Sequence, residues 1–268
     1  MTVLITGASG GLGRALAMEC AQRGYDLYLT DLNGEGLRCI QEGILRQYAV
    51  TVHEKACDLT KPEDAEALFS DIRANTLGIH ILLQVAGIDF EGGFMDLECE
   101  QLIDIVRVNI EASLRVIHHA LDCRVEGEKF NLVVVSSLAS LYPMPLKATY
   151  AASKRFLLDF SLALSQELKE KNVTVLALCP GGLPTTQGAL QGIAAQGIWG
   201  KVTTNSLPKV ARRTLTKALK GKSVYIPGMV NRVFSIIGRL VPRRALTKIL
   251  YARWQDTRSK NCIMAGNR

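Results

Sequence analysis

The sequence carries Thr6-Gly7-Ala8-Ser9-Gly10-Gly11-Leu12-Gly13, a glycine-rich turn that directly follows a short apolar run. The run predicts a buried strand over Thr2–Thr6, and apolar residues then recur at helical spacing over Gly11–Arg23. The glycines allow a tight turn, close approach of backbone to phosphate, and close packing of helix against strand. Such a turn leaves N–H groups free at a helix N-terminus, where a pyrophosphate binds. The stretch therefore predicts a dinucleotide site that includes Gly7, Ser9, Gly11, Leu12 and Gly13.

Beyond this turn, apolar runs without alternation are each followed by a segment of helical period. The further predicted strands are Asp26–Thr30, Val50–Ala56, Ile79–Gln84, Leu132–Ser136, Thr174–Cys179 and a last one in Ser223–Gly228. The predicted helices are Gly34–Tyr48, one that begins near Pro62 with Thr60 as its N-cap, Glu98–Cys123 and Thr149–Lys169. This order indicates an α/β fold, a doubly wound, Rossmann-like parallel sheet with helices on both faces. Ligands in such folds bind at the carboxyl ends of the strands.

Asp31 ends the second predicted strand, 18 residues after Gly13. A carboxylate there can accept hydrogen bonds from both hydroxyls of an adenosine ribose and would repel a 2′-phosphate. No Arg or Lys lies in Thr6–Gly13 or Asp31–Glu35 to bind such a phosphate. The sequence therefore favours NAD(H) over NADP(H). The alternative for Asp31 is a helix-capping or loop aspartate.

Tyr150 and Lys154 are four residues apart, on one face of a predicted helix. A free phenol has a pKa of about 10, and a nearby ammonium lowers it by favouring the phenolate. Lys154 can also hold a nicotinamide ribose. Ser137, at the end of a strand, could hydrogen-bond a substrate carbonyl. With the glycine turn, these residues predict hydride transfer with Tyr150 as the acid and base.

Together these motifs resemble those of the short-chain dehydrogenase/reductase family, over about residues 1–186. The family motif T-G-x-x-x-G-x-G is Thr6–Gly13, Y-x-x-x-K is Tyr150–Lys154, and P-G-x-x-x-T is Pro180–Thr185. The resemblance implies catalytic roles for Asn109, in a proton relay, and for Ser137, Tyr150 and Lys154. It implies cofactor contacts from Asp31, Asp58, Leu59, Ala86, Gly87, Tyr150, Lys154, Pro180, Gly181 and Thr185. The family's N-N-A-G appears as Gln84-Val85-Ala86-Gly87, so both asparagines are replaced.

The expected activity is the interconversion of a secondary alcohol and a ketone. Apolar residues dominate 138–147 and 183–208, two segments expected to line the cleft, and the second is expected to form a lid. A hydrophobic substrate, steroid-like or 3-oxoacyl-like, is therefore expected. The alternative is a catalytically silent NAD-binding sensor or scaffold protein.

The charge is uneven along the chain. Residues 201–268 hold 16 Lys and Arg and one acid, Asp256, whereas residues 1–200 hold 16 Lys and Arg and 24 acids. The excess suggests an anionic partner, or else a solvated basic face. Nucleic acid is not expected, because no recognition motif accompanies the charge. Met229–Tyr251 combines apolar residues with arginines, which suits a peripheral membrane or acyl-carrier contact. Covering the cleft or a subunit interface is the alternative that we expect.

Length predicts a single domain over residues 1–228, with 229–268 as a basic, apolar extension packed on it. Seven scattered cysteines without a C-x-x-C indicate reduced thiols in the cytoplasm, and no secretory signal is recognised. The four histidines lack the partners that a metal site needs. The resemblance implies a homodimer or homotetramer that pairs the helices of Asn109 and Tyr150, with Phe156, Leu157 and Phe160 as contact residues.

Overall fold

The computed structural model describes residues 1–75, 78–185, 190, 194 and 202–252. In this part of the chain seven parallel strands form one sheet, in the order β3-β2-β1-β4-β5-β6-β7. The strands are β1 Thr2–Thr6, β2 Asp26–Asp31, β3 Val52–Ala56, β4 Ile81–Gln84, β5 Phe130–Val135, β6 Val173–Leu178 and β7 Val224–Tyr225. The strand order reverses between β1 and β4, which opens a crevice at their carboxyl ends.

Helices cover both faces of this sheet. They are α1 Gly11–Gln22, α2 Gly34–Leu45, α3 Pro62–Asn75, α4 Cys99–Val106, α5 Ala112–Asp122, α6 Ala148–Glu167, α7 Leu207–Leu219 and α8 Met229–Leu240. Residues 243–252 are also helical. One core packs α1, α2 and α7 on a sheet face, and the other packs α3, α5 and α6 on the opposite face. Alternate strand residues, such as Leu4 and Ile5 of β1, enter different cores. The doubly wound fold predicted from the sequence is confirmed.

The predicted helix Glu98–Cys123 is interrupted by a π-helical segment, Arg107–Glu111, between α4 and α5. This segment contains Asn109, whose side chain is fully buried and bonded to the loop after β4. A π segment inserts one residue into the helix, which redirects a side chain without ending the helix. Helical periodicity in the sequence does not show such an insertion.

The predicted apolar segment Met229–Tyr251 is also divided. α8 ends at Leu240, and Val241 is extended, with φ −85° and ψ 131°. Pro242 explains the break, because a proline disfavours helical geometry in the residue before it. Among the described residues, no helix is long and apolar enough to cross a membrane.

Of the lid expected over 183–208, most residues lie outside those that the structure describes. The described ends of the segment meet, since Asn205 donates its backbone N–H to Gly182 O at 3.1 Å.

One expected subunit contact is wrong. Leu157 is 1% exposed and packs in the core beneath α6, so it offers no surface to a partner. Phe156 and Phe160 are one helical turn apart and stack on each other at 5.8 Å between ring centroids. Phe156 is exposed and Phe160 partly exposed, so an apolar surface on α6 does exist next to the mispredicted position.

Candidate active site

The glycine turn after β1 has the shape that an anion site requires. Gly7 has φ +63°, and a Cβ there would lie 2.8 Å from Ala86 N. A Cβ on Gly13 would lie 2.1 Å from Gly7 O. Gly10, the N-cap of α1, provides no side-chain cap, and the first turn of α1 contains no acid. Its N–H groups are thus open to a pyrophosphate, and these residues fit a dinucleotide.

Gln84 takes over a structural task at the position where the family pattern has asparagine. Thr6 Oγ1 donates to Gln84 Oε1 at 2.9 Å, and it accepts from Val85 N at 3.1 Å and Ala86 N at 3.2 Å. Gln84 Nε2 then donates to Ser113 Oγ at 3.2 Å. The buried glutamine therefore joins β1, the loop after β4 and α5, and it holds the backbone that faces the glycine turn.

Asp31 stands at the end of β2, against the glycine turn. Its Oδ2 accepts from Ser9 N at 3.0 Å, and its Oδ1 accepts from Asn33 N at 3.1 Å. The cap of α2 is Asn33, whose Oδ1 accepts from Gly36 N at 3.0 Å. Asp31 is therefore not the cap of α2, and its carboxylate lies against the glycine turn through Ser9 N.

Asp58 and Leu59 lie beside Asp31, because Cys57 N donates to Asp31 O at 2.9 Å. The Asp58 carboxylate accepts from Thr60 Oγ1 at 2.6 Å and Thr60 N at 3.1 Å. Chiefly through the Thr60 hydroxyl, the pKa of Asp58 is lowered. The carboxylate thus closes its own turn, and a part for Asp58 and Leu59 at the adenine end stays a prediction. Thr60 donates both its hydroxyl and its backbone N–H within this turn.

The loop after β6 covers the glycine turn. Pro180 O accepts from Leu138 N at 2.7 Å, which ties this loop to the one after β5. A Cβ on Gly11 would lie 2.8 Å from Thr185 Cα, so Thr185 packs directly on the turn. Gly181 lies against the side chain of Asn231 on α8. The predicted cofactor residues of the loop after β6 therefore lie against those of the glycine turn.

Lys154 is buried beneath the site. Its Nζ donates to Val135 O at 3.1 Å and lies 5.8 Å from the centroid of the Tyr150 ring. A Cβ on Gly87 would come within 2.9 Å of this same Nζ, so the backbone of Gly87 packs directly against the ammonium. Burial lowers the pKa of Lys154 to about 8, against the opposing effect of Asp89.

The pKa of Tyr150 differs from the expectation. Burial raises it first, and the charge of Asp89 raises it further, while a hydrogen bond from Ser137 and the charge of Lys147 lower it. The ammonium that lowers the pKa of Tyr150 in this structure is Lys147 and not Lys154. Lys147 Nζ lies 5.7 Å from the ring centroid. The spacing Tyr150–Lys154 correctly indicates proximity, but burial of the phenol and the charge of Asp89 set the direction of its pKa.

Asn109 is brought to the same place by the π-helical segment. Its Oδ1 accepts from Ile88 N at 2.8 Å, and its Nδ2 donates to Ile88 O and to Ser153 Oγ, each at 3.0 Å. Ser153 Oγ in turn donates to Tyr150 O at 2.8 Å. The amide thus clamps the loop after β4 to the helix that carries Tyr150.

The sequence analysis missed an ion cluster at the cleft. Lys147 Nζ lies 2.5 Å from Asp89 Oδ2 and 2.6 Å from Glu91 Oε1. Burial is the largest effect on Asp89, whose pKa is raised, and on Lys147 the carboxylates outweigh burial and raise the pKa. The signal was available: two acids follow Ala86-Gly87 within five residues, at a carboxyl strand end.

The same loop supplies a cleft wall that the sequence analysis assigned elsewhere. A small depression beside Tyr150 is lined by apolar side chains of the loop after β4 and of α4, namely Phe90, Phe94, Leu97, Leu102 and Ile105. Such a wall suits an apolar ligand with a few polar groups at its end.

Comparison with known proteins identifies the family of the chain. The sequence model of the short chain dehydrogenase family matches residues 1–191. The very-long-chain 3-oxoacyl-CoA reductase of Laccaria bicolor is 29% identical over 174 residues, 64% of this chain and 52% of that protein. The inactive hydroxysteroid dehydrogenase-like protein 1 of Homo sapiens is 30% identical over 200 residues, 73% of this chain and 60% of that protein. The chain thus matches little more than half the length of these two relatives.

A solved structure shows the same fold. The short chain dehydrogenase/reductase from Burkholderia phymatum, in complex with NAD, superimposes with a TM-score of 0.79 at 20% identity. The match covers 89% of this chain and 92% of that one.

Proposed function

The chain belongs to the short-chain dehydrogenase/reductase family of oxidoreductases that act on CH–OH groups, and we propose that it interconverts a secondary alcohol and a ketone on a hydrophobic substrate. One observation carries the proposal. Tyr150 lies beside a group of apolar side chains, Lys154 Nζ is 5.8 Å from the centroid of its ring, and Ser137 is close enough to lower the pKa of its phenol.

In the reducing direction the nicotinamide supplies a hydride to the carbonyl carbon, and the protein's residues handle the oxygen and its proton. Ser137 donates a hydrogen bond to the carbonyl oxygen, which stabilises the charge that develops there. Tyr150 donates its phenolic proton to this oxygen, and its raised pKa keeps the phenol in the protonated form that this step needs. Lys154 orients the ribose. Asn109 keeps Gly87 and Ile88 against Lys154, and a part for it in proton relay belongs to the same proposal.

We assign NAD(H) as the favoured cofactor, with NADP(H) as the less suited one. The support is Asp31, whose carboxylate is held at the ribose end by Ser9 N and Asn33 N. A 2′-phosphate placed there would meet a like charge, which disfavours it. The apolar wall Phe90–Ile105 supports a steroid-like or 3-oxoacyl-like substrate over a sugar.

We further propose a homodimer or homotetramer in the cytoplasm. The support for assembly is apolar exposure on the helices that carry the site: Ile103, Val106, Leu114, Phe156 and Leu162 are each partly open to solvent. The six cysteines of the described residues are free thiols, which agrees with a reducing compartment.

The alternative function is an NAD-binding protein without turnover. It is favoured by the human relative that carries the word inactive in its name. Against it stand Ser137, Tyr150 and Lys154, all present and brought together here. A turnover assay separates the two functions.

The test is an NAD(H)-coupled screen of steroid ketones, 3-oxoacyl thioesters and simple ketones, with the matching alcohols in the reverse direction. We expect turnover on a hydrophobic member. On that substrate Tyr150→Phe should retain NADH binding and lose turnover, whereas Tyr48→Phe, remote from the cleft, should keep both. Turnover that survives Tyr150→Phe contradicts the assigned roles. NADH binding without turnover on any panel supports the silent alternative.

A further inference from the structure

Helix α8 is attached to the protein by its polar side. Asn231 and Ser235 are only 1% and 6% exposed. Asn231 Nδ2 donates to Thr203 O at 3.1 Å and to Pro227 O at 2.9 Å. Further along the same side, Gly238 lies so close to the Tyr142 ring that a Cβ would clash with it. The side of α8 that packs on the protein therefore contains Asn231, Ser235 and Gly238, with Val230 and Phe234 partly buried beside them.

The apolar side of α8 faces away from the protein. The exposed fraction is 78% for Met229, 61% for Ile236 and 79% for Leu240, and Val233 and Ile237 are about half exposed. These residues recur at intervals of three and four, so they form one continuous face. A surface helix of a globular protein normally shows the opposite arrangement, and a contiguous apolar face marks a contact with something else.

The sequence-based expectation was that this segment covers the cleft or a subunit interface. Helix α8 does pack on Tyr142, in a segment expected to line the cleft, but Met229, Ile236 and Leu240 are exposed and do not take part in that contact. Turning the helix to bury its apolar face would break the two hydrogen bonds that Asn231 Nδ2 donates to Thr203 O and Pro227 O. It would also force the Tyr142 ring, which packs against Gly238, to move. Among the described residues, none packs over this apolar face to bury it.

The charge around the face indicates which partner. Arg232, Arg243, Arg244 and Lys248 are exposed on α8 and on the helical residues that follow it. Between residues 201 and 252 the chain contains no Asp or Glu at all. A second copy of this face would bring like charges together, which disfavours self-association. An anionic lipid surface satisfies the charge and the apolar face at once.

We propose that α8 docks on an anionic lipid bilayer, lying in the interface plane with Met229, Val233, Ile236, Ile237 and Leu240 inserted at the boundary of headgroups and acyl chains. The basic residues beside them then contact lipid phosphates or carboxylates. The docking is a property of this surface and is measurable without substrate or turnover.

The experiment is flotation of the full chain with vesicles of phosphatidylcholine alone or mixed with phosphatidylglycerol. We expect co-flotation with the mixed vesicles at low salt and little at high salt. The Debye length, over which charges attract each other in solution, falls from about 10 Å at 0.1 M salt to about 3 Å at 1 M. Arg243→Gln/Arg244→Gln should weaken the partition coefficient about 25-fold, since each basic residue contributes about a factor of five. Ile236→Asp/Leu240→Asp should abolish flotation.

The matched control is Leu45→Asp/Arg46→Gln at the end of α2, which alters an exposed leucine and an exposed arginine far from α8. It should float as the unmodified chain does. Retained NADH binding and circular dichroism show that each variant is folded. The proposal is overturned if the full chain does not float at low salt, or if it floats equally with pure phosphatidylcholine and without regard to the arginines. It is also overturned if light scattering shows a dimer that Ile236→Asp/Leu240→Asp dissociates while no variant binds vesicles.

Discussion

Replacing Asp89 by Asn should lower the pKa of Tyr150. The structure gives the reason, since the charge of Asp89 is the largest electrostatic contribution that raises this pKa. Asparagine keeps the size of the side chain and removes the charge. Lys147 loses one of its two carboxylate partners in the same step, and its less compensated ammonium acts in the same direction.

The magnitude follows from distances around Lys147. Its Nζ lies 2.5 Å from Asp89 Oδ2 and 5.7 Å from the Tyr150 ring centroid, so the carboxylate and the ring are at most about 8 Å apart. Two unit charges at this distance interact by about 0.5 kcal/mol in water and about 2 kcal/mol at an effective dielectric of about 20. At about 1.4 kcal/mol per pKa unit, the pKa of Tyr150 should fall by roughly one unit.

The direct assay is a pH titration of tyrosinate absorbance, taken as the difference between each protein and its Tyr150→Phe counterpart. Once a substrate is known, the rate of alcohol oxidation provides a second readout. Its rising limb reports the deprotonated phenol, so this limb should move to lower pH in Asp89→Asn. Lys147→Met should move both readouts to higher pH.

Glu91→Gln is the matched control. Glu91 also contacts Lys147, but its side chain is 61% exposed and it does not contribute to the pKa of Tyr150. The control should leave the titration nearly in place. The electrostatic reasoning is refuted if Asp89→Asn moves the titration upward or not at all, or if Glu91→Gln moves it as far.

Asp31→Ala should bring the affinities for NADH and NADPH closer together when both cofactors are titrated. If the ratio of the two affinities does not change, Asp31 does not set the cofactor preference. In urea unfolding, Gly13→Ala should lose about 2 kcal/mol or more because its Cβ would meet Gly7 O, whereas Gly43→Ala, with open space around it, should gain up to about 1 kcal/mol. The free energy of unfolding should rise by up to about 3 kcal/mol from pH 8 to 10.5. Lys154 has a pKa of about 8 in the folded protein and 10.5 in the unfolded chain, so the unfolded chain binds more protons in this pH range. Lys154→Met should lack this increment, and an equal rise in that variant would assign it to other groups. Phe156→Glu should shift the mass seen by light scattering toward the monomer, and an unchanged mass would exclude this surface of α6 from assembly.

The sequence predicted the fold because its signals are local and repeated. Each strand is a short apolar run, and a glycine or a proline marks most turns at the carboxyl edge. From the glycine turn and the Tyr150–Lys154 spacing, two separate segments were predicted to lie at one edge of the sheet. The structure confirms the fold on which this prediction rests. Strand β4 was predicted to begin at Ile79, whereas Ile79 forms only an isolated bridge with Arg124.

The electrostatics of the site could not be predicted in the same way. Spacing along a helix shows that Lys154 is near Tyr150, but not that Lys154 is buried and donates to Val135 O. The ion cluster of Asp89, Glu91 and Lys147 joins residues 58 positions apart in sequence. The orientation of α8 was equally hidden, since a helical wheel shows two faces and does not tell which one is seated on the protein.

The π-helical segment Arg107–Glu111 has a consequence for sequence length. Each residue advances a helix by about 100°, so deleting one residue there would regularise the helix and turn Asn109 away from Ile88. Substitutions at the exposed positions of this segment change only surface chemistry, whereas an insertion or deletion changes the direction of every side chain before or after it. Descendants of this chain should therefore vary in composition at this segment while its residue count stays constant.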